Sequence, residues 1–169
     1  NYINKHGGVL SEFQTYHILK QIILGLKDAK DFNDANHQGI FHGNLKLTNV
    51  LISYDQLHMQ GSSLFVEVKL SDFQPYGLFD SEILFQNIES WEELSKTSSA
   101  SLGGILEKTL KSTYETYDFL PPEHQLGKAP SIETDLYSLG VLTYKMLVGD
   151  LPYGYFTKPS SRKKELSEF

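Results

Sequence analysis

The residues with the most obvious capacity for chemistry lie together in the stretch 41–52. His42, Asn44, Lys46 and Asn49 fall within eight residues, and the sequence then becomes apolar. Polar side chains at this density, beside a strand-like run, are typical of a loop held rigidly at a functional site. The alternative is a helix-to-strand connection whose Asn side chains only satisfy backbone groups. The spacing alone leaves both interpretations open.

Composition limits the kind of protein that presents this loop. The 169 residues predict one domain of ordinary size, and 40% hydrophobic residues suffice for a packed core. The net charge of −6 argues against a general nucleic-acid binder, although it leaves room for a local basic patch. The absence of Cys excludes disulfides, thiolate metal sites and a Cys nucleophile, and it is consistent with an intracellular protein.

The N-terminus and the apolar runs exclude further classes of protein. The first residues have neither an apolar core nor a cleavage site, so we expect no signal peptide. No apolar run is long enough to span a bilayer, so we expect no transmembrane helix. The chain does not begin with Met, which predicts that it is a fragment. His37 and His42 lack a third donor at metal-ligand spacing, so we expect no zinc site.

A long helix is predicted to lead into the loop. It follows a short helix that ends at Gly7 and Gly8, and it begins with a capping box formed by Ser11 and Gln14. The predicted helix continues toward a C-cap at Gly39. Its apolar face is predicted from residues that recur at three- and four-residue steps, namely Phe13, Tyr16, Leu19, Ile23 and Leu26.

The elements after the loop are predicted from short apolar runs. The runs 50–52 and 64–70 predict an antiparallel pair of strands that flanks the loop. Residues 78–113 predict two short helices around a Ser/Thr-rich linker at 95–101, with a mostly disordered loop as the alternative. A later helix is apolar on almost every side, as expected at the centre of a domain, and Gly149 stands at its C-cap.

Four motifs, taken in order, resemble those of the eukaryotic protein kinases. Residues 42–51 (HGNLKLTNVL) resemble the catalytic loop, and residues 71–74 (SDFQ) resemble the metal-binding Asp-Phe-Gly. Residues 120–123 (LPPE) resemble the end of the activation segment, and residues 135–141 (DLYSLGV) resemble the start of the central helix. The resemblance covers roughly residues 1–155. It implies a protein-kinase-like fold, large lobe only, mainly α with a short antiparallel β pair at the catalytic loop.

The resemblance also implies a domain organisation. Residues 1–169 are expected to form a partial protein kinase domain, because the glycine-rich loop and the strand Lys of the small lobe are not found in this sequence. Residues 78–113 are expected to form an expanded insertion in the activation segment, which is longer here than is usual for the family.

Roles for individual residues follow from the resemblance. The family transfers a phosphoryl group from ATP with Mg²⁺, mostly by positioning the reactants and neutralising phosphate charge. Asn49 and Asp72 match the metal-binding positions, and Leu51 is assigned to nucleotide binding with them. Lys46 matches the Lys that offsets charge on the transferred group, and Asn44 occupies the position of the catalytic base. Binding of ATP and Mg²⁺ is expected only together with the small lobe.

Three departures from the family motifs bear on catalysis. Asn44 replaces a carboxylate, and an amide has no useful basicity, so it cannot take the substrate proton. Loss of a general base typically removes about 10²–10⁴ in rate. Gln74 replaces the Gly of Asp-Phe-Gly, which is expected to restrict the backbone next to Asp72. Gly43 replaces an Arg that in many kinases pairs with a phosphate on the activation segment.

Further residues match supporting positions of the family. His42 matches a structural His that supports the Phe of Asp-Phe-Gly, here Phe73. Thr116 resembles the Thr of the substrate-facing loop, and Glu123 matches the Glu that ends the activation segment. Asp135 matches an acidic residue that holds the backbone of the catalytic loop, and as an alternative or additional role it could cap its own helix.

These matches lead to two main functional hypotheses. The preferred one is a pseudokinase, a kinase-fold module impaired in catalysis that acts through ATP binding and protein contacts. The alternative is a weakly active Ser/Thr protein kinase that transfers the γ-phosphate of ATP to a protein hydroxyl, as the position of Lys46 resembles that of Ser/Thr-directed kinases. A third reading is an interaction domain that binds no nucleotide. The expected partners are ATP and a protein substrate or protein partner, with no nucleic acid and no membrane.

Overall fold

The structure is a computed structural model, and its described residues form a mainly helical fold with one small sheet. It describes residues 2–33, 39–54, 66–73, 115–125 and 131–154, with Glu93, Lys96, Gly104 and Ile105. The helices are α1 Tyr2–Lys5, α2 Glu12–Asp31, α3 Pro122–Gln125 and α4 Ile132–Val148, and the strands are β1 Val50–Tyr54 and β2 Val66–Leu70. The helices and linker expected within 78–113 lie outside the described residues, apart from those single positions, and so does Gln74.

The junction between α1 and α2 forms as the sequence predicts. Gly7 and Gly8 have positive φ angles of 77° and 91°, and the Gly8 N–H donates to the Ile3 carbonyl at 3.0 Å, which ends α1. At the start of α2, the Gln14 N–H donates to Ser11 Oγ at 3.3 Å and the Ser11 N–H donates to Gln14 Oε1 at 3.0 Å. The predicted capping box is therefore confirmed.

The buried face of α2 differs from the predicted one. Phe13 is 64% exposed, Tyr16 is 60% exposed and Ile23 is 49% exposed, so most of the predicted apolar face lies outside the core. The buried residues are Thr15, Ile18, Ile22 and Leu26, which also recur at three- and four-residue steps. The helix carries apolar residues on two sides, and periodicity alone does not indicate which side the other elements cover.

The end of α2 also differs from the prediction, because the helix ends at Asp31 and not near Gly39. The Ile40 N–H donates to the Ala29 carbonyl at 3.0 Å, so a residue from beyond the helix satisfies a carbonyl of the last turn. Gly39 lies so close to the Lys30 carbonyl that a Cβ at this position would collide with it. Gly39 therefore permits a close approach of two backbone segments and does not cap the helix.

The two strands form the predicted antiparallel pair. Val50 pairs with Leu70, and the register continues to Tyr54, which pairs with Val66. Leu70 also packs toward α2, where a Cβ added at Gly25 would meet its Cδ1 at 3.5 Å. The sheet therefore packs on α2, and β2 ends directly before Ser71.

Helix α4 buries one face within the described part of the chain. Its buried residues are Thr134, Asp135, Ser138, Val141, Leu142 and Met146. Leu136 and Val148, at 60% and 52% exposure, lie on sides that the described residues do not cover, which differs from a helix buried all round. The helix begins after Ser131, whose N–H donates to Thr134 Oγ1 at 3.0 Å. The buried polar residues Thr134, Asp135 and Ser138 lie in the first two turns of α4, and Asp135 contacts the loop.

Gly149 ends α4 as predicted, and it provides a test of the fold. Its φ is 85°, its N–H donates to the Lys145 carbonyl at 3.0 Å, and a Cβ added there would lie 2.8 Å from Val9 Cγ1. We expect Gly149→Ala to lower the free energy of unfolding by about 1–2 kcal/mol, from the left-handed backbone alone. Gly140→Ala is the matched control, since an added Cβ meets no described atom within 4 Å inside α4.

Chemical denaturation of both variants measures this difference. Gly140→Ala is expected to stabilise the protein by about 0.5–1 kcal/mol, because Ala restricts the unfolded chain and favours a helix. Equal stability changes in the two variants would contradict the positions assigned to these glycines.

Candidate functional site

The backbone of the loop is anchored by a carboxylate of α4. The His42 N–H donates to Asp135 Oδ2 at 2.7 Å, and the Gly43 N–H donates to Asp135 Oδ1 at 2.8 Å. Asp135 is 1% exposed, and burial raises the pKa of its carboxyl group, whereas the two backbone donors lower it. The alternative that Asp135 caps its helix is wrong, because the N-cap is Ser131 and Asp135 is the fourth helical residue.

Left-handed backbone occurs at two positions of the site. Gly43 has a φ of 67°, which Gly adopts without steric cost. Asp72 has a φ of 58°, and Asp is one of the few residues with a side chain that tolerates this region. The backbone around Asp72 is held by the Ser71 N–H, which donates to the Asn49 carbonyl at 3.0 Å. The Ser71 hydroxyl donates to Asp72 Oδ2 at 2.9 Å.

The His42 ring packs inside the site. It stacks on the Phe73 ring with centroids 4.2 Å apart and an interplanar angle of 28°. The Asn44 N–H donates to its Nδ1 at 3.3 Å, so Nδ1 carries no proton. Burial lowers the pKa of His42, which favours the neutral imidazole. His42 therefore acts as a packing residue between the loop and the segment that carries Asp72.

The Asn44 side chain bridges the loop and the Asp72 backbone. Its Nδ2 donates to the Asp72 carbonyl at 3.3 Å, which sets the orientation of the amide, since a reversed amide would place two oxygens against each other. Asn44 is 7% exposed, and its Oδ1 is buried without a hydrogen-bond partner within the described part of the chain. A buried acceptor in this state costs free energy unless an ordered water or a ligand donates a hydrogen bond to it.

Asn49 is oriented by the same loop. Its Nδ2 donates to the Asn44 carbonyl at 2.8 Å, which leaves Oδ1 as the side-chain atom able to bind a cation. The described residues contain no group of three or more His, Cys, Asp or Glu side chains that could hold a metal ion. An amide oxygen and a carboxylate, from Asn49 and Asp72, instead match Mg²⁺, which uses few protein ligands and keeps water or phosphate oxygens.

Lys46 links the loop to a distant segment. Its Nζ donates to Thr116 Oγ1 at 2.8 Å, although the two residues are 70 positions apart in the sequence. Lys46 is 7% exposed, and burial lowers the pKa of its ammonium group. The negative charges of Glu115 and Asp72 oppose this change. The arrangement places a cation between the loop and the segment around Thr116.

The hydrogen bond between Lys46 and Thr116 can be tested by two substitutions. Thr116→Val keeps the shape of the side chain and removes the acceptor, so we expect it to lower the free energy of unfolding by about 1.5–3 kcal/mol. Thr116→Ser keeps a hydroxyl and is expected to retain most of the wild-type stability. Urea denaturation measures both variants, and equal losses in the two would show that the hydroxyl does not contribute.

A cavity of about 530 Å³ lies beside the loop. Its lining includes Leu47, Thr48 and Leu51 from the loop and β1, together with Lys5 and Glu115. Asn44, Asn49 and Asp72 are not among its described lining residues, so the cavity is adjacent to the polar cluster but distinct from it. Leu51, which is 51% exposed, contributes an aliphatic surface to this lining.

The remaining predicted site residue lies on α3, and two contacts were not predicted. Glu123 is exposed in the first turn of α3. The Ser138 hydroxyl lies 2.7 Å from the Phe119 carbonyl and 2.9 Å from the Thr134 carbonyl, so it connects α4 to the segment that follows Thr116. Gln21 contacts β2 from α2. The sequence signal for both was a polar residue within a helix, and that signal alone does not indicate the contact partner.

Comparisons with known proteins extend these observations. The family model described as Protein kinase domain matches residues 1–169. The chain is 29% identical over 148 residues to an Aurora kinase from Debaryomyces hansenii, covering 88% of this chain and 26% of the relative. It is 33% identical over 149 residues to serine/threonine-protein kinase TOUSLED from Arabidopsis thaliana, covering 86% and 17%. It is 31% identical over 136 residues to serine/threonine-protein kinase pkn2 from Myxococcus xanthus, covering 80% and 12%.

The matches have a defined extent. The chain spans only between 11% and 29% of the length of the curated relatives compared with it. No solved structure matches it. No helix among the described residues is both long enough and apolar enough to cross a membrane. Because the family model covers the whole chain and the curated relatives include Ser/Thr kinases, this chain belongs to the protein kinase superfamily.

Proposed function

We propose that this chain is the large lobe of an ATP-dependent kinase domain of the Ser/Thr type that is impaired in phosphoryl transfer. It acts through ATP binding and protein contacts, as a pseudokinase does. The observation that carries the proposal is Asn44, an amide at the position of the catalytic base. Its Nδ2 is bound to the Asp72 carbonyl, and its Oδ1 is a buried acceptor with no described partner.

The donor set supports a role for Mg²⁺. Asn49 Oδ1 and the Asp72 carboxylate are the atoms that would hold the ion, because the Asn49 Nδ2 already donates to the Asn44 carbonyl. The ion, when bound, neutralises charge on the phosphate oxygens of ATP. Lys46 adds a buried positive charge that interacts electrostatically with Asp72, and it can offset charge on the transferred phosphoryl group.

The cavity beside the loop supports nucleotide binding. Leu51, Val50 and Ile52 supply aliphatic lining, and apolar walls with a few polar groups are typical of small-molecule sites. Lys5 and Thr48 add polar atoms to the same lining. We assign the adenosine part of ATP to this cavity and the phosphates to the polar cluster next to it.

Asn44 accounts for the proposed impairment. Its Oδ1 can accept a hydrogen bond from a substrate hydroxyl and orient it, but an amide does not take up the proton. Loss of a general base removes about 10²–10⁴ in rate, and a loose phosphoryl-transfer transition state places the loss toward the lower end. The domain thus retains groups for positioning while it lacks the group for proton transfer.

A weakly active Ser/Thr protein kinase is the alternative function. The hydrogen bond from Lys46 to Thr116 favours it, because this contact orders the segment that resembles the substrate-facing loop of Ser/Thr kinases. In that case the γ-phosphate of ATP is transferred to a hydroxyl of a protein substrate.

The proposed domain organisation is the same for both functions. Residues 1–169 form a partial kinase domain, residues 78–113 form an insertion in its activation segment, and the protein is intracellular.

A thermal-shift titration of the full-length protein tests the proposed function. ATP with Mg²⁺ is expected to raise the melting temperature, and at a concentration about 100 times Kd it stabilises by about 2.7 kcal/mol. ATP with EDTA is expected to give a smaller shift. No shift under either condition would overturn nucleotide binding and favour the interaction domain.

A phosphoryl-transfer assay on the same preparation separates the pseudokinase from the alternative. Transfer to a general protein substrate is expected to remain near background despite ATP binding. Transfer well above background that depends on Lys46 would instead support the weakly active kinase.

A further inference from the structure

Gln21 of α2 makes a two-point contact with β2. Its Nε2 donates to the Val66 carbonyl at 2.9 Å, and its Oε1 accepts from the Val68 N–H at 3.1 Å. The Nε2 also lies 3.3 Å from the His17 carbonyl of its own helix. Both ends of the amide are thus engaged, and a reversed amide would place like atoms together at both points. Val66 and Val68 follow Gln21 by 45 and 47 residues in the sequence.

The contact lies on the outer edge of the sheet. In an antiparallel pair, alternate residues direct their N–H and C=O groups toward the partner strand, and the others direct them away. Val66 and Val68 are two residues apart and give their polar groups to Gln21, so these groups point away from β1. The Gln21 amide therefore takes the place of a neighbouring strand on this edge.

The strand that Gln21 holds leads directly to the proposed metal site. β2 ends at Leu70, and the next residue, Ser71, donates its N–H to the Asn49 carbonyl at 3.0 Å. The carbonyl of Asp72 then accepts from Asn44 Nδ2. Because each of these contacts depends on where β2 ends, a shift of the strand along or away from α2 would move Asp72 relative to Asn49.

We propose that Gln21 is a positioning residue that fixes β2 from its outer edge and thereby places Asp72 opposite Asn49 for binding Mg²⁺ with ATP. This inference rests on the proposed function. It predicts a specific effect: loss of the Gln21 contact weakens the Mg²⁺-dependent part of ATP binding and leaves the Mg²⁺-independent part in place. A residue that only covered a strand edge would change stability without this separation.

Calorimetric titration of the full-length protein with ATP, in Mg²⁺ and in EDTA, measures the two parts. Gln21→Met keeps the length of the side chain and removes both hydrogen bonds. We expect the gain in affinity that Mg²⁺ provides to fall by about 10-fold, as is typical when a group that orients a metal ligand is lost. Affinity in EDTA is expected to stay within about twofold of wild type, since Asp72 contributes through the metal.

Three further variants make the result specific. Gln21→Glu keeps the acceptor for the Val68 N–H but places an oxygen against the Val66 carbonyl, so it is a second variant of the same contact, expected to lower the gain from Mg²⁺ as well if Gln21→Met does not fold. Lys20→Met is the control for an exposed neighbour on α2. Gly149→Ala is the control for lost stability without contact to β2, and the gain from Mg²⁺ is expected to be unchanged in it.

The possible outcomes are distinguishable. Equal losses in Mg²⁺ and in EDTA, or an unchanged gain from Mg²⁺ in both Gln21 variants, would overturn this inference and leave the proposed function intact. An absence of ATP binding by the wild-type protein under both conditions would overturn the proposed function and this inference together.

Discussion

Replacing Asn44 by Asp is expected to raise phosphoryl transfer by the full-length protein about 100-fold. The substitution restores a carboxylate that can accept the proton of a substrate hydroxyl. The Asn44 Oδ1 is already a buried acceptor without a described partner, so one oxygen of the new carboxylate would not displace an existing hydrogen bond at that position. The rest of the loop would remain held by its contact with Asp135.

Two features of the site limit the expected gain to about 100-fold. The Asn44 Nδ2 donates to the Asp72 carbonyl at 3.3 Å, and a carboxylate oxygen at that point would face the carbonyl without a proton between them. The new negative charge would also lie near the Asp72 carboxylate. Both effects favour a rotation of the side chain and reduce the benefit of the restored base.

A transfer assay with labelled ATP measures the change, and ATP affinity is measured in parallel. Asn44→Ala is expected to show no gain, because it removes the acceptor as well as the donor. Asn4→Asp introduces the same chemical change at an exposed position of α1 and serves as the matched control. If Asn44→Asp binds ATP and Mg²⁺ but transfers no faster than wild type, position 44 does not limit the reaction.

Replacing Asp135 by Ala is expected to lower the free energy of unfolding by about 2–6 kcal/mol. The substitution leaves the N–H groups of His42 and Gly43 buried without their acceptors, and each such group costs about 1–3 kcal/mol. Relief from burying a carboxylate, whose pKa is raised by that burial, offsets part of this loss. Because domains of this size are stable by only about 5–15 kcal/mol, the effect is large.

Denaturation in urea measures this loss, and two further variants define its origin. Asp135→Asn keeps one acceptor oxygen, so it is expected to lose less stability than Asp135→Ala. Glu133→Gln, at an exposed position in the first turn of the same helix, is expected to stay within about 0.5 kcal/mol of wild type. A loss as small for Asp135→Ala as for Glu133→Gln would contradict the anchoring role of Asp135.

Local signals predicted much of the fold correctly. The capping box of Ser11 and Gln14 and the left-handed cap at Gly149 form as expected, because each depends on hydrogen bonds within a few residues. The antiparallel strands form as expected because two short apolar runs lie close together in the chain. The buried face of α2 was predicted wrongly, since periodicity offered two apolar sides and the choice between them depends on α4 and β2.

The sequence by itself determined which residue types stand in the loop, including the amide of Asn44 at the position where the resemblance to the kinases implies a carboxylate. It also determined the family, because the four motifs and their order can be recognised in the sequence without a structure. Only the tertiary structure decided which atoms of these residues meet. The Asp135 carboxylate reaches a loop 93 residues away, Lys46 reaches Thr116 across 70 residues, and Gln21 reaches β2. Such contacts depend on how helices pack on the sheet, because hydrogen bonds between distant segments form only where packing brings their atoms within about 3 Å.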